Sequence, residues 1–109
     1  MKTNMIWIAA LLAGFMLACS DDDDNNDQPI IEVGMSNTVF IPEQVSISTG
    51  TTVRWVNNSS IPHTVTSHDG LFDEFLEVNE TYTFTFNTPG TFTYNCTLHP
   101  GMDGVVTVE

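Results

Sequence analysis

The feature that most constrains the fold is a strict alternation of polar and apolar side chains in the second half of the chain. Segment 81–86 reads Thr-Tyr-Thr-Phe-Thr-Phe, and segment 91–96 reads Thr-Phe-Thr-Tyr-Asn-Cys. Successive side chains of a β-strand point to opposite faces, so each segment collects its aromatic residues on one face. This pattern, with β-branched and aromatic residues, predicts half-buried antiparallel strands.

Strand patterns of this kind recur along most of the chain, and turn signals rich in Gly, Pro and Asn separate them. The predicted strands are 30–34, 38–41, 44–49, 51–57, 63–67, 80–87, 90–96 and 104–109. Seven to eight short strands in roughly 80 residues predict an all-β fold, a Greek-key β-sandwich or flattened barrel.

The alternation stops in segment 71–78. Phe72, Phe75 and Leu76 have the i, i+3, i+4 spacing of one helical face. We therefore expect a short helical turn here, or a loop that packs on the sandwich.

The N-terminal residues 1–18 have the composition of a secretory signal peptide. A positive start and the apolar stretch 6–17 precede a small residue and Cys19. The run Met-Leu-Ala-Cys that ends at Cys19 resembles a lipoprotein cleavage box, which predicts lipidation of Cys19. An ordinary signal peptide followed by an incidental cysteine is the alternative.

Residues 19–27 contain the lipidated cysteine and a run of Asp and Asn. Such a block buries no apolar surface, so it predicts an acidic tether without a fold of its own. The tether either resembles a surface-export tag or is a simple spacer. Residues 28–109 then form one small folded domain.

The charge balance restricts the partners. The chain has 14 Asp and Glu residues against two cations, and Lys2 leaves with the signal peptide, so Arg54 remains. This argues against nucleic acid, whose phosphates need a basic surface, and against electrostatic binding to anionic lipid. It favours protein partners with a basic docking surface.

The segment from Cys96 to Met102, read with the distant His63, offers a specific set of metal ligands. A trigonal His₂Cys set with a weak axial Met is typical of a blue-copper electron-transfer site. Strand phase places His63 and Cys96 on inward faces at strand ends. His99 and Met102 follow in the next loop.

Each of these four residues, taken alone, is also compatible with a core or loop position. Their joint order, spacing and strand phase favour a metal site. If Cys19 is lipidated, Cys96 has no disulfide partner, and a bound ion would protect the lone thiol and stabilise a small core. His68 lies five residues after His63, so we expect it on the surface.

Residues 40–109 resemble the plastocyanin-like cupredoxins, the blue copper proteins. The matching segments are Phe40-Ile41-Pro42, 50–57, Pro62-His63-Thr64-Val65, 89–96 and His99 through Val108. The spacing Cys-x₂-His-x₂-Met is similar to the short ligand loop of amicyanin. The resemblance implies one copper ion, Cu(I) or Cu(II), with His63, Cys96 and His99 as equatorial ligands and Met102 as the axial ligand.

Two departures from the family pattern affect the surroundings of the ligands. Thr64 stands where the family often has Asn, and Thr97 follows the ligand cysteine, so we expect these two hydroxyls to make the supporting hydrogen bonds. Gly101 stands where amicyanin has a bulky residue. The apolar docking patch around the second histidine is then flatter, and its expected residues are Ile61, Pro62 and Pro100.

The sequence thus predicts a monomeric type 1 copper electron-transfer protein outside the cytoplasm, attached to the membrane through its lipid alone. It exchanges single electrons with redox protein partners. The alternative is a copper-binding or delivery lipoprotein with no redox-carrier role. An enzyme is not expected, because copper catalysis needs an open coordination position or a second metal. A metal-free adhesion-type sandwich would leave the ligand set unexplained.

Overall fold

The structure is a computed structural model that describes residues 29–109. The predicted signal peptide, 1–18, and the predicted lipidated Cys19 with its tether, 19–27, lie outside the described residues. The strands are β1 (Ile30–Met35), β2 (Phe40–Ile41), β3 (Gln44–Ile47), β4 (Thr51–Val56), β5 (His63–Ser67), β6 (Asp73–Leu76), β7 (Thr81–Phe86), β8 (Gly90–Asn95) and β9 (Asp103–Val108). Among the described residues, no helix is long and apolar enough to cross a membrane.

The nine strands form two sheets that face each other. One sheet has the order β2-β1-β4-β7, and the other has the order β3-β9-β8-β5-β6. The predicted all-β sandwich is therefore confirmed. The antiparallel expectation is wrong for two pairs, β1–β4 and β3–β9, which are parallel. Alternation specifies which side chains face the core, and it carries no information about the direction of the neighbouring strand.

The predicted helical turn in segment 71–78 is wrong. Residues Asp73–Leu76 form β6, which pairs with β5 in antiparallel register. Phe72 and Leu76 are 5% and 3% exposed, whereas Phe75 is 52% exposed. Residues 72 and 76 share a face in a helix and in a strand, so only the outward position of Phe75 separates the two structures. Pairing with β5 outweighs the local helical spacing.

The core between the sheets is aromatic, as the alternation predicts. The threonines of β7 are exposed, while its Phe86 is buried. Trp55 lies 5.3 Å from Tyr94 between ring centroids, and Phe40 lies 4.8 Å from Tyr94. Burial raises the pKa of Tyr94 to about 12, so this ring stays a neutral phenol at physiological pH and packs as an apolar group.

Gly104 in β9 makes room for the ring of Tyr94. A Cβ atom at position 104 would lie 2.3 Å from Tyr94 Cζ and 2.4 Å from its hydroxyl oxygen. Tyr94 is 1% exposed and its ring packs against Phe40, Trp55 and Phe72, so the ring cannot turn out toward solvent. The strand that follows the predicted ligand loop therefore depends on glycine at this position.

We predict that Gly104→Ala lowers the free energy of unfolding by about 1–3 kcal/mol, because the added methyl group overpacks a closed core. Chemical denaturation of the copper-free protein measures the change. Gly34→Ala is the matched control, since the nearest atom to its Cβ is 3.3 Å away in the exposed Asn58 side chain. Equal losses in the two variants would contradict the packing role of Gly104.

Candidate metal centre

Three predicted ligands converge at one end of the sandwich. His63 is the first residue of β5, Cys96 directly follows β8, and His99 lies in the loop between β8 and β9. The Cys96 sulfur lies 3.6 Å from Nδ1 of His63 and 3.3 Å from Nδ1 of His99. All three donor atoms lie within 4.8 Å of one another. The fold thus brings residues 33 positions apart into one cluster.

The separations of these donor atoms suit a single metal ion. An ion bound at about 2.3 Å from sulfur and about 2.0 Å from nitrogen, in a trigonal arrangement, separates its donors by roughly 3.5–3.7 Å. The two sulfur–nitrogen distances, 3.6 and 3.3 Å, lie within about 0.4 Å of the sulfur–nitrogen separation expected for such a site. Cys96 is a free cysteine and is 1% exposed. A thiolate with two imidazoles is a soft, nitrogen-rich donor set that fits copper.

The backbone of β5 holds the Cys96 sulfur. The N–H group of Thr64 donates a hydrogen bond to Sγ over 3.3 Å. The hydroxyl oxygen of Thr64 accepts a bond of 2.8 Å from the N–H group of Thr97 and lies 3.2 Å from the Thr97 hydroxyl. Thr64 and Thr97 therefore join the two ligand-bearing segments directly, beside the sulfur. Such contacts orient the ligands and tune the electron density on sulfur.

The ligand loop is closed by its own backbone. The N–H group of Cys96 donates to the carbonyl of Met102 at 2.9 Å, and the N–H group of Met102 donates to the carbonyl of His99 at 3.1 Å. Gly101 has a φ of 85°, a left-handed conformation that glycine adopts without strain. This turn places Met102 inside the protein, where its side chain is 1% exposed.

The two histidines differ in their environment. His63 is fully buried, whereas His99 is half-buried, and their ring centroids lie 4.7 Å apart. Burial lowers the pKa of His63, the neighbouring charge of His99 lowers it further, and a hydrogen bond with the backbone of Ser36 opposes both. His63 is therefore neutral near pH 7, which is the form that binds a metal.

The predicted docking residues lie beside the two histidines in the sequence. Ile61 and Pro62 precede His63 and are half-buried, and Pro100 follows His99 and is exposed. Leu98, which no sequence motif indicated, is 48% exposed and directly precedes His99. The sequence could have predicted this exposure, because Leu98 lies in a short loop and outside any strand pattern that would bury it.

Two further residues complete the description of the site. Ser59 lies 3.0 Å from Nε2 of His63 through its hydroxyl oxygen, a contact that no sequence pattern indicated. His68 is exposed, and its Nδ1 lies 2.7 Å from the hydroxyl of Thr93. His68 thus lies on the surface and outside the donor cluster.

Comparison with known proteins identifies the family. The chain matches the model of the cupredoxin-like domain over residues 8–108. The chain belongs to the cupredoxin family. The resemblance predicted from the sequence is therefore confirmed, and it extends over most of the chain.

This cupredoxin has relatives of similar size. It is 36% identical over 107 residues to amicyanin-alpha of Methylorubrum extorquens, which covers 93% of this chain and 87% of that one. It is 35% identical over 85 residues to amicyanin of Paracoccus versutus. That alignment covers 72% of this chain and 64% of the relative, slightly less than two thirds of its length. The solved structure of Paracoccus versutus amicyanin has a TM-score of 0.65 and 34% identity, and the match covers 80% of this chain and 86% of that one.

The lowered pKa of His63 predicts a pH dependence of stability. Between the folded-state pKa and the unfolded value of 6.5, the unfolded chain binds more protons at this residue. The free energy of unfolding of the copper-free cupredoxin should therefore decrease as the pH falls through this window. His63→Gln should remove that part of the decrease, as measured by denaturation at about pH 7.5 and about pH 5.5. His68→Gln is the matched control, and identical pH profiles for both variants would contradict the assignment.

Proposed function

We propose that this cupredoxin is a type 1 copper protein that carries single electrons between redox partners outside the cytoplasm. The convergence of the Cys96 sulfur with Nδ1 of His63 and Nδ1 of His99 supports this function most directly. A bound copper ion would supply a one-electron couple between Cu(I) and Cu(II) at this point.

Four residues would hold the copper. Cys96 would bind as a thiolate, His63 and His99 would bind through Nδ1, and Met102 would be the weak fourth donor that helps to set the potential. Cys96 and His63 are fixed by a buried strand and a closed loop, so they keep their positions when the charge of the site changes. Electron transfer is faster when the ligands move little between the two oxidation states of the metal.

The half-buried His99 is the route to a partner, because the other three proposed ligands are buried. Around it, Ile61, Pro62 and Pro100 form the docking patch, and the exposed Leu98 extends it. A small apolar patch of this kind allows close approach without strong binding, which suits a transient redox complex.

The surface charge defines the kind of partner. Nine acidic residues lie in 29–109 against one cation, Arg54. Its guanidinium group already pairs with Glu32 at 3.0 Å. We therefore propose a partner with a basic docking surface, which the acidic cupredoxin attracts over a distance set by the ionic strength.

The proposed location follows from the N-terminal sequence. The signal peptide 1–18 directs export, the lipid on Cys19 anchors the chain, and the tether 19–27 separates the domain 28–109 from the membrane. In this arrangement the protein acts as a monomer, and only its lipid enters the bilayer.

An enzymatic role is not proposed. Three of the four proposed ligands are enclosed, since Cys96, His63 and Met102 are each at most 1% exposed. Copper catalysis requires a coordination position that a substrate can reach. A copper-delivery role requires easy release of the ion, which can be tested with a chelator of moderate affinity.

The first prediction of this function concerns colour. Addition of Cu(II) to the purified protein should produce intense absorption in the red part of the visible spectrum, because the Cys96 thiolate bonds covalently to copper. Cys96→Ser should abolish the absorption, while Leu98→Ala should retain it. Optical and electron paramagnetic resonance spectra measure both effects.

A colourless copper complex of the wild-type protein would contradict the type 1 assignment. Copper loss to a moderate chelator within seconds would favour delivery over electron transfer. Slow loss, with reversible reduction and reoxidation in the same sample, supports the redox-carrier role.

The second prediction concerns ionic strength. At neutral pH, stopped-flow rates of electron transfer with a small cationic redox complex should fall as salt is added, because screening removes the attraction to the acidic protein. Rates with an anionic redox complex should rise under the same conditions. Equal salt dependence for the two complexes would contradict the proposed role of the acidic surface.

A further inference from the structure

Both ring nitrogens of the buried His63 have a polar neighbour. Its Nδ1 faces the Cys96 sulfur, and its Nε2 lies 3.0 Å from the hydroxyl oxygen of Ser59. A neutral imidazole that binds a metal through Nδ1 carries its proton on Nε2. In the copper-bound protein, that N–H group must therefore donate a hydrogen bond, and the Ser59 oxygen is positioned to accept it.

The Ser59 hydroxyl is itself held in place. Its oxygen lies 2.7 Å from Oδ1 of Asn57 and 3.0 Å from the carbonyl oxygen of Ile61. The N–H group of Ser59 also donates to Oδ1 of Asn57 at 3.1 Å, and the N–H group of Ile61 lies 3.3 Å from the Ser59 oxygen. Because a hydroxyl has one hydrogen, the short contact indicates donation to Asn57, which leaves one oxygen lone pair for the Ile61 N–H group and one for His63.

Asn57 anchors this chain of contacts in the sandwich. It directly follows β4 and is fully buried. Its side-chain amide donates to the carbonyl of Ile61 at 2.9 Å and to the carbonyl of Leu76 in β6 at 3.0 Å. Both hydrogens and the oxygen of this amide therefore make hydrogen bonds. A buried network in which every polar group is paired is rigid.

We propose that Ser59, supported by Asn57, is a positioning residue that fixes the ring orientation and the Nε2 proton of His63 for copper binding. This inference rests on the proposed function. The side chain of Ser59 touches neither the Cys96 sulfur nor Nδ1 in the contacts described, so it acts through His63. Outer partners of this kind contribute about 10–100-fold to metal affinity.

Copper affinity of three variants tests the proposal. Ser59→Ala should weaken Cu(I) binding, measured by competition with a chromogenic chelator, by about 10–100-fold. Ser59→Thr keeps the hydroxyl and should stay within about threefold of wild type. Ser60→Ala is the matched control, since Ser60 is an exposed neighbour with the same hydroxyl, and it should bind as the wild type does. The backbone of Ser36, which also accepts a hydrogen bond from His63 and competes for the same N–H group, is unchanged in all three variants, so a difference between them reports on the Ser59 hydroxyl.

A purely structural role would give a different result. Loss of loop stability alone would lower the melting temperatures of the copper-free and Cu(I)-loaded proteins equally, with copper affinity unchanged. The proposal predicts a larger loss for the loaded form. It also predicts that the Nε2 proton of His63, observed by nuclear magnetic resonance in the Cu(I) protein, exchanges with solvent at least about tenfold faster in Ser59→Ala than in Ser59→Thr.

The outcomes separate this inference from the proposed function. If wild-type protein gives no red-region absorption with Cu(II), the proposed function fails. If the wild type gives that absorption but Ser59→Ala matches it in Cu(I) affinity and Nε2 proton exchange, the positioning role is overturned while the copper site remains. If Ser59→Thr is as weak as Ser59→Ala, the hydroxyl is not the active group, and the proposal is overturned as well.

Discussion

The hydrogen bond from the Thr64 N–H group to the Cys96 sulfur is the contact on which the site depends. It spans 3.3 Å between the second residue of β5 and the residue that follows β8. The register of these neighbouring strands, with Thr66 opposite Asn95, brings His63 and Cys96 to the same end of the sandwich. The donor cluster is therefore a consequence of sheet pairing.

Around that contact, the two histidines differ in how firmly they are held and in how much of each is exposed to solvent. His63 is buried and hydrogen-bonded toward Ser59, whereas His99 is half-buried beside the exposed Leu98. The short loop from Cys96 is closed by the bond to the Met102 carbonyl. This arrangement holds the buried side of the site firmly and leaves His99 partly exposed, which suits the proposed exchange of single electrons with a partner.

Strand faces were predictable from the sequence because alternation directly reports burial, and the inward positions of His63 and Cys96 follow from it. The direction of β1 relative to β4 was not, since two parallel and two antiparallel strands show the same alternation. The strand at Phe75 was missed because its local spacing imitates a helix, and pairing with β5 decides the outcome. The contact of Ser59 depends on the path of an irregular loop, which no periodic pattern encodes.

The most direct test is a comparison of crystal structures of the copper-free and copper-loaded protein. If sheet pairing preforms the site, copper binds between Cys96, His63 and His99, and the donor atoms of the two buried ligands shift by less than about 0.5 Å. The Thr64 N–H bond to sulfur is present in both structures. Copper bound elsewhere, or movement of His63 and Cys96 by several ångströms on loading, would contradict the account.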